Sequence, residues 1–325
     1  MRIFGALALA SGIICMAAAG PVAPAFAQEA CKPGPNALGV SRVVEIDTTG
    51  GPRFGFQYKE HDLLADGEVV LTFDDGPLRS HTRVILDALD AQCTKATFFL
   101  VGRMAVSDPE MVKEYHRRGH TVGIHTWSHA NLRSITPLRA RNEIELGFSA
   151  VQQALGRPVA PFFRFPYLAD SKSMAIHLQE RNVATFSIDV DSKDYRIHNA
   201  ETVHRKVMSD LARTRKGIIL FHDIHASTAR ALPSLLADLK ASGYRIVHLQ
   251  PKADATTLPE FDAIAQQEFD RRRAVVSAQP LARRALTWPV TGVHAQPAVA
   301  KEPGKATRPR QRYPKDDWFA NTLRW

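Results

Sequence analysis

The chain is poor in cysteine, in long apolar runs and in repeats, and each shortage removes a class of protein. Three cysteines in 325 residues are too few for a small fold held together by a disulfide framework. Beyond the first 30 residues, no stretch approaches the roughly 18 apolar residues that a membrane-spanning helix needs. No unit of about 20–50 residues recurs, which excludes solenoids and propellers. The body also lacks net charge. Residues 1–270 hold 30 Lys+Arg and 30 Asp+Glu, while the last 55 residues hold 12 against 3 and so carry the whole formal charge of +9. A basic nucleic-acid-binding body is excluded, and any electrostatic adaptor role is confined to the tail. The hydrophobic fraction of 45% rules out wholesale disorder.

What is present begins with an export signal. Arg2 precedes a small, apolar run from Ile3 to about Ala19, and Ala25 and Ala27 form the small-x-small pattern of a signal-peptidase site. Residues 1–27 are therefore expected to leave the mature chain; a retained anchor is the alternative reading. Ile14 before Cys15 disfavours a lipoprotein signal, which needs a small residue there. With Cys15 gone, Cys31 and Cys93 remain, and in an oxidising compartment two cysteines suggest one disulfide. Two separate buried thiols are the other possibility.

From residue 68 to residue 250 short apolar runs alternate with segments of helical period. The runs at 69–73, 97–101, 121–124, 161–165, 183–188, 217–221 and 245–249 suit strands; 80–91, 108–118, 137–155, 171–181, 200–212 and 229–241 suit helices. Pro137 after Thr136 fits a first helical turn, and Gly119, Gly156 and Gly243 fit helix ends. About seven strands alternating with helices predict a parallel α/β protein, barrel or open sheet. Within the extension at 28–67, residues 42–47 and 53–58 flank Thr48-Thr49-Gly50-Gly51 and read as a β-hairpin. Residues 251–277 hold a C-terminal helix, and 278–325, rich in Pro, Ala and Arg, reads as a disordered basic tail.

The polar residues of interest fall just after strands, where α/β folds build their sites. Thr72-Phe73-Asp74-Asp75-Gly76-Pro77 offers two adjacent carboxylates, one able to bind a metal and one to act on a proton, although Asp-Asp-Gly-Pro is also an ordinary turn. His125-Thr126-Trp127-Ser128-His129 places two histidines four apart, a spacing that meets on one face of a helical turn. With a carboxylate from another strand end they would make a three-ligand, zinc-type site with open positions. Arg164-Phe165-Pro166-Tyr167, Asp191-Ser192-Lys193-Asp194-Tyr195 and Leu220-Phe221-His222-Asp223 follow in order, each at a strand end.

In these five segments the chain, over roughly Glu68 to Leu249, resembles the polysaccharide deacetylases of carbohydrate esterase family 4, the NodB-homology domain, which includes chitooligosaccharide and peptidoglycan deacetylases. The resemblance implies a distorted (β/α) barrel with fewer than eight strands. It implies Asp75, His125 and His129 as ligands of Zn2+, or of another divalent transition metal such as Co2+, and Asp74 as catalytic base. It further implies Arg164 as the residue orienting that base, Tyr167 as a backbone oxyanion donor, His222 as general acid and Asp194 as its tuning carboxylate. Pro166, Tyr195 and Leu220 fall in the implied substrate pocket, Leu220 against the acetyl methyl group. Leu168 stands where the family usually has glycine, and Tyr195 where it usually has tryptophan. Asp189 reads as structural, and His225 as a solvated loop histidine.

The expectation is thus an exported N-deacetylase acting on an N-acetylated polysaccharide. An O-acetyl esterase of xylan type is the alternative on the same site, and a non-catalytic glycan-binding module the alternative from another class. No nucleic-acid partner and no span in the mature chain are expected. The tail is expected to associate with anionic envelope surfaces while a neutral groove takes an uncharged acetamido sugar.

Overall fold

Strands buried on both faces read as continuous apolar runs, because helices cover one side and the barrel interior the other. The computed structural model describes Cys31, residues 37–58 and residues 60–278. The expected signal at 1–27 and the basic tail beyond Ala278 lie outside these described residues. Two short strands come first, β1 (Arg42–Ile46) and β2 (Arg53–Phe54), then β3 (Glu68–Asp74), α1 (Arg79–Ala91), β4 (Thr97–Leu100), α2 (Gly102–Ser107) and α3 (Pro109–Arg117). The middle of the chain gives β5 (Thr121–Ile124), α4 (Pro137–Leu155), β6 (Phe162–Phe163), a 3-10 turn (Pro166–Leu168), α5 (Lys172–Glu180), β7 (Ala184–Phe186) and β8 (Val190–Asp191). It closes with α6 (Ala200–Thr214), β9 (Gly217–His222), α7 (Ala226–Ala241), β10 (Arg245–Pro251) and α8 (Pro259–Ala278).

Every strand pair in the sheet is parallel. The order runs β1-β10-β3-β4-β5-β6-β7-β2, and β9 joins β3 to β8 on a branch. β3 is the hub: its first residues pair with β10, its last three with β4, and Val69–Asp74 with β9. Its alternating side chains serve two cores. Val69, Leu71 and Phe73 face the helices, joining Ile85, Leu89, Val112, Ile144 and Leu236, while Val70 faces inward with Phe99, Phe162, Phe186 and Ile218. Each fully buried phenylalanine or leucine contributes about 1.5–3 kcal/mol. No helix among the described residues is long and apolar enough to cross a membrane.

The seven strands expected from periodicity are all present as β3, β4, β5, β6, β7, β9 and β10, and the two-residue β8 is an addition. The expected N-terminal hairpin is not formed. β1 pairs with β10 and β2 with β7, both parallel, so the two segments lie on different parts of the sheet. The turn between them is real, closed by Gly51 N–H to the Thr48 carbonyl, but it is docked on the end of α5. Gly50 N–H donates to Asn182 Oδ1, and a Cβ on Gly51 would lie 2.5 Å from the Gln179 Cα. Docking overrides the local pairing that the turn residues suggested. Caps elsewhere follow the sequence: Thr136 Oγ1 accepts from Arg139 N–H with Pro137 at the first helical position, and Gly156 closes α4 at φ 73°.

Cys31 and Cys93 are joined by a disulfide across a sequence separation of 62, with Cα atoms 5.6 Å apart. It ties the start of the described chain to the end of α1. Closing a loop of that length removes entropy from the unfolded chain, so reduction is expected to lower unfolding stability by about 2–4 kcal/mol. Denaturant midpoints with and without reductant check this; unchanged midpoints would mean that the bridge carries no stability.

Candidate active site

Register brings the first two functional side chains together. In the β3–β9 ladder Asp74 lies opposite His222 and Thr72 opposite Leu220. Neighbours in register point the same way, so all four face the barrel interior at the carboxyl ends of their strands. Phe73 and Phe221 alternate to the helix side, where their rings stack 5.3 Å apart.

Arg164, just after β6, is fully buried and reaches across the barrel. Its Nη1 donates to Asp74 Oδ1 at 2.7 Å and to Thr72 Oγ1 at 2.9 Å. Nε and Nη2 donate to the carbonyls of Phe186 and Ser187 at 3.3 and 3.2 Å. The guanidinium also covers the Phe99 ring at 4.3 Å. Burial pushes the Asp74 carboxyl upward, and Arg164 opposes that push by favouring the carboxylate. The backbone of Arg164 holds a second group: its carbonyl accepts from His125 Nδ1 at 2.8 Å. That bond fixes the tautomer and leaves the His125 Nε2 lone pair facing the site.

Nε2 of His125 lies 3.6 Å and Nε2 of His129 lies 3.4 Å from Asp75 Oδ1. The three side chains are buried and can offer ligand atoms all within 4.8 Å of one another. The two histidines do not converge on a helical turn, as their spacing suggested. Residues 125–129 form an irregular loop with Thr126 at φ 68° and His129 at φ 59°. Hydrogen bonds hold that shape: His129 N–H donates to Thr126 Oγ1, and Glu143 on α4 accepts from both Ser128 N–H and Ser128 Oγ.

Both carboxylate oxygens of Asp75 are buried without a hydrogen-bond partner, and burial pushes this carboxyl up to about 8. Burial likewise pulls His125 down to about 3 and His129 well below its ordinary value, so both imidazoles are neutral. One orphaned carboxylate and two neutral imidazoles, one oriented through its second nitrogen, are the donor set of a zinc-type site. The residues fit a divalent cation.

His222 lies on the other flank, its Nε2 3.8 Å from Asp75 Oδ2. Its Nδ1 donates to Asp194 Oδ1 at 2.6 Å, and its backbone N–H donates to Asp194 Oδ2 at 2.7 Å. Thr228 Oγ1 donates to that same oxygen at 2.5 Å. Burial alone would lower the imidazole, but Asp194, with Asp75 and Asp74 behind it, holds it up to about 10. Burial also acts against the Asp194 carboxylate, and the cationic His222 keeps it below its ordinary range.

Two exposed tyrosines stand over the centre. The Tyr167 ring meets the His129 ring edge-on at 4.6 Å, and the Tyr195 ring meets His222 at 5.6 Å. Tyr195 Oη also donates to Asp191 Oδ2 at 3.2 Å. Pro166 and Leu220 are buried beneath. Tyr167 and Leu168 are consecutive left-handed residues, φ 60° and 52°, which explains a preference for glycine at the second position. Leu168 there costs about 1–2 kcal/mol, and Gln57 Nε2 steadies the turn by donating to its carbonyl. Asp189 is structural: its Oδ2 accepts from Ile218 N–H at 2.7 Å. His225 is not solvated. It is half-buried, its ring 5.6 Å from that of His222, because it starts α7 directly beneath the His222 loop.

Sequence reasoning missed the supports. Thr228, Glu143 and Phe99 lie outside the five segments, since each acts through contacts made across the fold. A further buried group lies under the Gly76 turn, where Asp223 Oδ2 accepts from Tyr115 Oη and from Thr82 Oγ1.

A parallel α/β barrel with an Asp-His-His metal cradle, flanked by an Arg-held carboxylate and an Asp-held imidazole, defines a hydrolase-type centre. The family model for polysaccharide deacetylases matches residues 64–185. A chitin deacetylase of Colletotrichum lindemuthianum is 31% identical over 194 residues, 56% of this chain and 77% of that protein. The peptidoglycan-N-acetylglucosamine deacetylase PgdA of Listeria monocytogenes is 36% identical over 179 residues, 55% of this chain but 37% of the relative's length. In structure, the peptidoglycan deacetylase Bd3279 of Bdellovibrio bacteriovorus superposes with a TM-score of 0.61 at 32% identity, covering 67% of this chain and 61% of that one. This chain belongs to the polysaccharide deacetylase family. The family match ends before Asp194 and His222, which the β3–β9 register and the Asp194 hydrogen bonds bring to the site.

The histidine loop depends on close packing with α4. A Cβ on Gly147 would lie 2.8 Å from the Thr126 carbonyl carbon. Gly147→Ala is therefore expected to displace the loop, lowering stability by about 1–3 kcal/mol and weakening metal binding about tenfold or more. Calorimetric zinc titration of the folded variant checks it; unaltered affinity would remove the loop from the account of the cradle.

Proposed function

We propose that this protein is an exported, metal-dependent N-deacetylase that hydrolyses the acetamido group of N-acetylglucosamine units in an envelope glycan, with zinc or a similar divalent metal such as cobalt on Asp75, His125 and His129. Peptidoglycan, chitooligosaccharide and exopolysaccharide all contain that group. The observation that carries this reading is the flanking of one metal cradle by two differently tuned pairs, Arg164–Asp74 and Asp194–His222. Acid and base chemistry requires groups whose environments push their protonation apart.

An amide is a poor electrophile, and its nitrogen is a poor leaving group. A bound divalent cation would polarise the carbonyl and lower the pKa of a coordinated water to about 7. Asp74, its Oδ1 tied to Arg164, has Oδ2 available to take a proton from the attacking water. As the water oxygen bonds to the carbonyl carbon, the Tyr167 N–H is the candidate donor for the developing oxyanion. His222, protonated and held by Asp194, gives its proton to the nitrogen as the carbon–nitrogen bond breaks. Acetate and a free amine on the sugar result. Leu220 offers an apolar wall for the methyl group, and the two tyrosines flank the sugar.

Acetate release from N-acetylglucosamine oligomers, peptidoglycan strands and acetylated xylan tests the function. Release from the N-acetylated substrates is expected; release from xylan alone would identify an O-acetyl esterase. Asp74→Asn should lower kcat by about 10²–10⁴-fold with little change in KM, and a fully active variant would overturn the base assignment.

The role of Asp194 has its own signature. His222 acts in its protonated form, so activity is present below its pKa and is lost as pH rises through it. Asp194→Asn removes the largest upward influence, and the alkaline limb of kcat/KM should move to lower pH. An unmoved limb would detach Asp194 from the acid.

A further inference from the structure

One exposed side chain, Gln57, joins two loops at the catalytic end and belongs to neither. It follows β2 and precedes residue 64, where the family match begins. Its Nε2 donates to the Leu168 carbonyl at 3.2 Å, and its Oε1 accepts from Ser187 Oγ. Leu168 adjoins Tyr167, and the Ser187 carbonyl accepts from Arg164 Nη2 at 3.2 Å. A single amide thus links the Tyr167 turn after β6 to the Arg164 anchor after β7.

The segment that presents Gln57 is itself fixed. Gly55, at φ 100°, brings its backbone against Ser187, and a Cβ there would lie 2.8 Å from the Ser187 carbonyl carbon. Phe56 N–H donates to the Ile188 carbonyl at 3.2 Å, and Tyr58 N–H closes the turn on the Gly55 carbonyl at 2.9 Å. The buried Tyr58 donates through Oη to Asp170, two residues beyond Leu168. The turn at 55–58 therefore holds the loop after β6 at two points.

That loop contains backbone that resists its own conformation. Tyr167 and Leu168 are both left-handed, and the Cβ of a leucine disfavours that region. Leu168 N–H to the Phe165 carbonyl and Ala169 N–H to the Pro166 carbonyl close the turn from within, at 3.0 and 3.1 Å. Gln57 holds it from outside, at the Leu168 carbonyl. Relaxation of Leu168 towards negative φ would swing the peptide that joins it to Tyr167. The direction of the Gln57 amide is fixed too, because a carbonyl oxygen only accepts and Nε2 must face it. We infer that Gln57 is a positioning residue, which keeps Leu168 left-handed and so holds the Tyr167 N–H in the direction of the substrate carbonyl oxygen. The inference rests on the deacetylase reading for what that N–H does, and on the geometry alone for what Gln57 holds.

Two substitutions at Gln57 and one at Leu168 test it in the full-length protein. Gln57→Glu keeps the length and an acceptor for Ser187 Oγ, but sets a carboxylate oxygen against the Leu168 carbonyl. Gln57→Met removes both polar atoms without adding charge. Leu168→Gly removes the strain, because glycine adopts positive φ at no steric cost. The backbone signals of the six tyrosines are followed by magnetic resonance after isotope labelling of tyrosine alone, and the Tyr167 signal is the one lost in Tyr167→Phe. Both Gln57 variants are expected to shift or broaden the Tyr167 signal with an unchanged melting temperature. They should lower kcat for acetate release about tenfold or more and leave KM within about twofold. In the Leu168→Gly background the same changes should cost about threefold or less and leave the Tyr167 signal in place. An unmoved Tyr167 signal in both Gln57 variants would overturn the inference, as would equal kcat losses in the two backgrounds. A loss confined to KM would also overturn it and make Gln57 a substrate contact. A parent protein that released no acetate from any N-acetylated oligomer would refute the deacetylase reading, while the Tyr167 signal would still decide the role of Gln57.

Discussion

A single buried arginine organises the catalytic end of this barrel. Among the described residues Arg164 heads the large side chains with no exposure to solvent, and a guanidinium there would be untenable without compensation. Asp74 supplies the opposite charge, while Thr72 and two carbonyls on the far side of the barrel take the remaining hydrogen bonds. Because Asp74 is spent on one oxygen only, the constraint that stabilises the arginine also aims the other oxygen at the reaction space. The same residue sets the His125 tautomer through its carbonyl. Removing it would leave an unpaired buried carboxylate and an unanchored candidate metal ligand together.

The rest of the centre follows from parallel pairing. Asp74 and His222 share a register position, so the proposed base and acid are set by the β3–β9 ladder rather than by flexible loops. Loops contribute where a strand cannot, as in the left-handed residues at Asp75, Thr126, His129 and Tyr167. Such conformations persist only where neighbours over-determine them, and Glu143, Gly147 and Gln57 supply that restraint here.

Much of this was legible from the chain alone, and for identifiable reasons. Long apolar strands and capped helices such as α4 announce themselves because burial and capping are local in sequence. The candidate site residues stood out because metal and proton chemistry restricts which side chains can serve. The false hairpin shows the limit: Thr48–Gly51 has every local mark of a reversal, yet the turn docks on α5 and sends its flanking strands to different partners. His125 and His129 show it again, since the expected ligand spacing was attached to a helical turn where the backbone is an irregular loop. Thr228 and Glu143 have meaning only once distant strand ends are neighbours.

The account as a whole turns on a metal held by Asp75, His125 and His129 between a carboxylate base and an imidazolium acid. Metal-free protein titrated with zinc, with bound metal and acetate release from an N-acetylglucosamine oligomer read in parallel, tests that most directly. The account predicts no release without metal and activity that saturates at one equivalent per chain; full activity in the stripped protein would contradict it.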